Sequence, residues 1–154
     1  YMTVGQIIEM IKKIRNSEQV LDEDLIKSFE LEKIVDKQMR TLSGGTTQKV
    51  SATLAFLFNP EVLILDEPTA GLDPLASEIL KDKIIKEKEK AKLILNTSHL
   101  LSELDDLITQ IIYMQEGTVH FHQTIHDLLQ STNEQKISKA IAKILKNKSN
   151  EQNH

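Results

Sequence analysis

The chain has 154 residues, 40% of them hydrophobic and none of them cysteine, with 23 acidic against 19 basic side chains for a net charge of −4. A chain of this length fits one domain that buries roughly 70% of the surface its unfolded form exposes, so its core needs neither disulfides nor Cys-ligated zinc. The longest stretch free of Asp, Glu, Lys and Arg, Val50 to Pro60, is far shorter than the roughly 20 apolar residues of a membrane-spanning helix, and two Tyr, four Phe and no Trp in an acidic chain argue against a nucleic-acid surface.

The opening Tyr1-Met2-Thr3-Val4 lacks the basic start and apolar stretch of a secretory signal, which leaves a cytoplasmic location as the expectation. Thr3-Val4-Gly5-Gln6 has the form of a capping box, and Ile7, Ile8, Ile11 and Ile14 recur at helical spacing, predicting a helix over about Thr3 to Arg15. A second amphipathic stretch follows Asp22-Glu23-Asp24, with Leu25, Ile26, Phe29 and Leu31 as its apolar face, so helix is expected across the first 40 residues. Thr41-Leu42-Ser43-Gly44-Gly45 breaks the pattern. From Thr46 a helix carries Val50, Leu54, Phe56, Leu57 and Phe58 until Asn59-Pro60 stops it.

Val62-Leu63-Ile64-Leu65, ending at Asp66-Glu67-Pro68, reads as a strand buried on both faces. Asp73-Pro74 caps a long helix whose charge-rich later turns, Lys81 to Lys92, read as a solvated face. Leu93-Ile94-Leu95 is a second buried strand, giving the form of a parallel βαβ unit. A helix near Leu100 to Leu107 follows, then a hairpin in which Gln110 to Met114 and Thr118 to Phe121 flank Glu116-Gly117, then a helix over Thr124 to Gln130. Glu134 to Lys148 has Ile137, Ile141, Ile144 and Leu145 on one face among five lysines and reads as a basic amphipathic helix; Ser149 to His154 is expected to be disordered.

Three places carry candidate chemistry. Asp66 and Glu67 end a parallel strand, at the edge where open α/β sheets bind ligands; one acid can hold a metal while the next acts on water, although an acidic strand-to-turn boundary has the same form. Ser43-Gly44-Gly45 directly precedes a helix, where the serine can cap and the glycines admit close approach of a phosphate, or simply loosen a helix start. His99 follows the second strand by the loop Asn96-Thr97-Ser98, near the acids if the strands are neighbours, although a lone histidine after a strand is more often a helix cap or surface residue. His120, His122, His126 and His154 lack the spacing of a metal site.

Leu42-Ser43-Gly44-Gly45, Val62 through Asp66-Glu67-Pro68-Thr69-Ala70-Gly71-Leu72-Asp73-Pro74, and Thr97-Ser98-His99 occur in that order, and together they resemble the ATP-binding subunit of ABC transporters from Tyr1 to about Gln130. The resemblance implies an α/β fold, a partial P-loop NTPase core with a helical signature subdomain. It implies that Ser43, Gly44 and Gly45 form the signature loop holding the γ-phosphate of ATP bound to the opposing subunit, that Asp66 positions Mg²⁺, that Glu67 deprotonates the attacking water and that His99 contacts the γ-phosphate. Asp73 would cross the dimer interface, and Gln48 and Lys49 match the Gln and basic residue that follow the signature. Thr46 stands where the family most often has Gln. No Gly-x-x-x-x-Gly-Lys followed by Ser or Thr occurs anywhere in the chain, so the phosphate-cradling loop is absent and the chain reads as the C-terminal two-thirds of such a subunit.

The domain layout expected is a helical signature subdomain over 1–58, the second half of the ATPase core over 59–131, and a basic helix and tail over 132–154. The implied partners are a second copy, head to tail, and transmembrane permease subunits, with export-type systems the most similar and no role for nucleic acid. An ABC ATPase of translation or DNA repair, and a regulatory protein that has lost its ATPase function, are the other readings.

Overall fold

In the computed structural model, which describes residues 2–15, 20–101, 104 and 107–151, five helical elements precede the first strand and two helices close the chain. The chain divides into two compact units, Tyr1–Thr97 and Ser98–His154, a division that differs from the sequence-based boundaries at 58 and 131.

In the first unit, helix α1 (Val4–Arg15) starts on the expected capping box: the Thr3 amide donates to Gln6 Oε1 at 2.9 Å and the Gln6 amide to Thr3 Oγ1 at 3.3 Å. Residues 35–38 run back across this end, accepting from the Val4 and Gly5 amides and pairing Gln38 with Thr3. Val4 and Ile8 are buried while Ile14 is exposed. The expected second helix is cut short. Helix α2 (Asp24–Ser28) gives way at Glu30, whose φ of 53° no helix continues, so Leu31 sits on a separate 3₁₀ turn (Leu31–Ile34) and a second turn (Met39–Thr41) leads to the signature segment. Leu25, Phe29 and Leu31 are nevertheless buried, as their spacing predicts. Helix α3 (Gly44–Phe56) begins two residues before Thr46 because Ser43 caps it, and buries Val50, Ala52, Thr53 and Phe56.

Strand β1 (Val62–Asp66) and strand β2 (Leu93–Thr97) pair in parallel, with Val62 opposite Leu93 and Asp66 opposite Thr97. Burial on both faces of β1 is not what the structure holds: Leu63 and Leu65 are buried, but Val62, Ile64, Leu93 and Leu95 lie on a face that is more than half exposed. A strand alternates its side chains, and cover reaches only one side of this pair.

Helix α4 (Pro74–Glu89) joins them, with Asp73 as its N-cap and Pro74 at its first position. Its later turns are not the solvated face expected of Lys81 to Lys92. Ala76, Leu80, Lys83, Ile84 and Glu87 fall on one helical stripe, and all five are buried. Lys83 Nζ lies 2.5 Å from Asp22 Oδ2, 3.0 Å from Asp24 Oδ2 and 3.3 Å from Glu87 Oε1; Glu87 also pairs with Lys90 at 2.8 Å and Lys92 at 2.5 Å. Three acids thus face three lysines, which is the condition under which buried charges are tolerated.

The second unit holds a hairpin of β3 (Gln110–Gln115) and β4 (Thr118–Thr124), closed by Glu116 and Gly117 at φ of 50° and 72°, the left-handed pair that a two-residue turn requires. Helix α5 (Ile125–Thr132) is capped by Thr124, whose hydroxyl accepts from the Asp127 amide. Asn133, at φ 52°, ends α5, so the basic helix α6 (Ile137–Glu151) starts three residues after the expected Glu134 and continues past Lys148 into the expected tail; residues 152–154 lie outside the described residues. Half of the helix expected near Leu100 to Leu107, residues 102, 103, 105 and 106, also lies outside them. Ile137, Ala140 and Ile141 are buried against Leu104, Ile111 and Leu128, so the apolar face of α6 is a docking face. Lys143 Nζ is bonded to the Thr132 carbonyl, while Lys136, Lys139 and Lys146 stay exposed.

Burial alone raises the Glu87 carboxyl, but hydrogen bonds from Lys90, Lys92 and Lys83 outweigh it and hold it at about 2, against 4.5 when unperturbed. A group depressed in this way contributes stability fully above its unfolded value and loses it as pH falls through the folded one, so about 3 kcal/mol disappears between pH 4.5 and 2. Lys83 is raised, its burial overcome by Asp22 and Asp24, and its contribution is therefore full below 10.5 and lost above it. Urea denaturation should show Glu87→Leu destabilised by about 3–5 kcal/mol, because two buried lysines lose a partner, and the acid limb of the stability curve should flatten in Glu87→Gln. In the second unit, Ile141→Ala should destabilise by about 2–5 kcal/mol, and deleting residues 134–154 should lower the melting temperature without changing binding to anionic vesicles.

Candidate functional site

Ser43 sets the start of α3: extended at φ −66°, ψ 159°, it accepts the Thr46 amide on Oγ at 3.2 Å, and the two hydroxyls share a 2.8 Å hydrogen bond. Thr46, the departure from the family's usual Gln, is therefore part of the cap. The geometry of a helix start leaves the Gly44 and Gly45 N–H groups without intrahelical acceptors, at the positive end of the dipole. The two glycines differ in their surroundings. A Cβ on Gly44 would meet nothing within 4 Å, whereas one on Gly45 would stand 2.5 Å from the Gly71 carbonyl oxygen, so only glycine fits there.

At the end of β1, Asp66 Oδ1 accepts from the Thr97 hydroxyl at 2.5 Å, the residue opposite it in register. The Glu67 amide donates to the Thr97 carbonyl and to the same hydroxyl, each at 3.2 Å. Glu67 sits at φ 47°, uncommon for a residue with a Cβ and opposed to the extended backbone that a following proline favours. The turn after it closes by hydrogen bonds from Ala70 to Glu67 and from Leu72 to Thr69.

Two side chains of α3 bind this loop. Gln48 Nε2 donates to the carbonyls of Glu67 at 3.3 Å and Pro68 at 2.9 Å, and Lys49 Nζ lies 2.7 Å from Asp73 Oδ2. Asp73 Oδ1 accepts the Ala76 amide, and its carboxyl is held below the usual range by the Lys49 hydrogen bond first and the Ala76 amide next. Both carboxylate oxygens of Asp73 are thus engaged within the chain.

Of the residues singled out in the sequence, Ser43, Gly44, Gly45, Gln48, Asp66, Glu67 and Asp73 lie in the first unit, the signature loop meeting the loop after β1 through Gly45, Gln48 and Lys49. His99 is exposed and belongs to the second unit. Sequence reasoning missed Thr97 as a contact of the acids; its place opposite Asp66 in a parallel register is the signal that could have found it. Among the described residues no group of three or more His, Cys, Asp or Glu is placed to hold a metal. A Mg²⁺ ion that takes one carboxylate, Asp66, and the rest of its ligands from phosphate and water fits this donor set.

The family model described as "ABC transporter" matches residues 3–70. The chain is 33% identical over 121 residues to the phospholipid-transporting ATPase ABCA3 of Rattus norvegicus, covering 76% of this chain and 7% of that protein. It is 32% identical over 109 residues to the ABC transporter ATP-binding protein NatA of Bacillus subtilis, covering 71% of this chain and 44% of that protein. A solved structure of an ATP-binding subunit of an ABC transporter superposes with a TM-score of 0.80 at 26% identity, covering 94% of this chain and 62% of that one. The chain therefore spans less than two thirds of the length of each. In its motif order, in the family match over residues 3–70 and in its mixed α/β fold, the chain is similar to the ATP-binding subunits of ABC transporters.

Proposed function

We propose that this chain supplies the signature loop and the hydrolytic acids of an ATP-hydrolysing subunit that drives an ABC transporter, working in the export direction. The observation that carries the reading is the joining, by Gln48, Lys49 and Gly45, of a helix start built for an anion to a strand that ends in two acids. The relative named as a phospholipid-transporting ATPase supports a transport role, and the short helical segment between Thr3 and Arg40 supports export.

In this reading two copies face head to tail under two-fold symmetry, beside transmembrane permease subunits on the inner face of the membrane. Ser43, Gly44 and Gly45 present N–H groups and the helix dipole to the γ-phosphate of ATP held by the other copy. Asp66, braced by Thr97, holds Mg²⁺, which neutralises phosphate charge when bound. Glu67 takes the proton of the attacking water. Asp73, braced by Lys49, faces the dimer interface. The lysine loop that cradles the phosphates is not among the residues of this sequence.

Phosphate release by this chain alone, with Mg²⁺ and ATP, should stay at background, because positioning and charge stabilisation of the γ-phosphate depend on that loop. Turnover abolished by Glu67→Gln would overturn this. In the complete protein that carries this sequence, Glu67→Gln should spare ATP binding and slow hydrolysis by about 10²-fold or more. Ser43→Arg should spare ATP binding to an isolated subunit while ATP-driven dimerisation and turnover fail; loss of binding by the monomer would sink the head-to-tail arrangement. Gly45→Asp is a poorer probe, since any Cβ there strikes the Gly71 carbonyl.

A further inference from the structure

We propose that Gln48 is a positioning residue for Glu67: its single amide group holds the two consecutive carbonyls of Glu67 and Pro68 and so keeps Glu67 in the left-handed conformation from which its carboxylate serves the reaction. This role deepens the ATPase reading above and rests on it.

Residues held in sparsely populated backbone regions persist only where their surroundings over-determine them. Glu67, at φ 47° before a proline, is such a residue, and its backbone conformation sets the direction of its Cα–Cβ bond. Four hydrogen bonds on its own peptide groups oppose relaxation. On the amide side they come from the Thr97 carbonyl and hydroxyl; on the carbonyl side they come from the Ala70 amide at 3.0 Å and Gln48 Nε2 at 3.3 Å. Thr97 and Ala70 are neighbours by strand pairing and by turn closure. Gln48 is different in kind, because it reaches from a helix 19 residues earlier, is half-buried, and donates to the next carbonyl as well. Gathering two successive carbonyl oxygens on one donor requires both to point the same way, which an extended strand with alternating carbonyls cannot do. Gln48 sits one turn into the helix whose start is Ser43-Gly44-Gly45, so the group that would touch one ATP and the acid that would act on the other share a rigid connection.

The test uses the complete protein. Gln48→Glu keeps the shape but sets a carboxylate oxygen where the amide donor stood, and Gln48→Ala removes the group. Both should lower kcat for Mg²⁺-ATP by tenfold or more with KM unchanged, and neither should slow the Glu67→Gln enzyme further. Amide exchange at Ala70 and Leu72 should quicken in both variants while Leu63 and Leu65 stay protected. Val50→Ala, which loosens the buried side of the same helix away from the loop, should lower the melting temperature and leave kcat near wild type. If the Gln48 variants turn over at the wild-type kcat, if their losses add to that of Glu67→Gln, or if Val50→Ala loses kcat in proportion to its melting temperature, the positioning role is overturned. A wild-type protein whose ATPase is absent or insensitive to Glu67→Gln would overturn the ATPase reading itself, a result distinct from any of these.

Discussion

Helix α4 is held at both ends by charge, and the arrangement around the signature loop depends on it. At its C-terminal half Lys83 and Glu87 have left water, and such a pair is tolerated only when its partners are placed well. Asp22, Asp24 and Lys92 are those partners, so the network ties α4 to the start of α2 and to the residue just before β2. At the other end Asp73 caps the helix and pairs with Lys49 of α3. The position of α4 thereby sets where Gly71 and Asp73 lie, and Gly71 in turn decides that Gly45 can be nothing larger.

What was legible in the sequence was mostly what is local. The Thr3–Gln6 box, the Ser43 and Asp73 caps and the Glu116-Gly117 turn involve partners within three residues, where residue type and spacing nearly determine the contact. The break in helix at Glu30 was not legible, since a lone left-handed glutamate has no composition signal. Lys83 and Glu87 were misread because their charge outweighed their position, although 76, 80, 83, 84 and 87 make one helical stripe. Motif order located Ser43, Gly45, Asp66, Glu67 and Asp73, but not the bond from Gln48 to the Glu67 carbonyl. A backbone acceptor carries no residue-type signature, and a contact across 19 residues needs the fold.

The bare side of the β1–β2 pair follows the same division between local pattern and tertiary outcome. Val62, Ile64, Leu93 and Leu95 have the composition of residues covered on both faces, the rule for parallel strands, and the structure covers one. Their alternation with buried Leu63 and Leu65 fixes the register regardless, because a slip of one residue would exchange the two faces. That register is what sets Thr97 beside Asp66, so the hydroxyl that braces the acid depends on pairing rather than on cover.

The two glycines of the signature loop separate structural from functional cause. Gly45 has an internal reason to be glycine, the Gly71 carbonyl 2.5 Å from where a Cβ would stand. Gly44 has none: its surroundings are open, and a Cβ there would meet nothing within 4 Å. A residue that the chain's own packing does not require, set at a capped helix start, agrees with the proposed approach of a phosphate to the backbone there. An anion that must come within hydrogen-bond distance of the backbone is the group for which a missing side chain is an advantage.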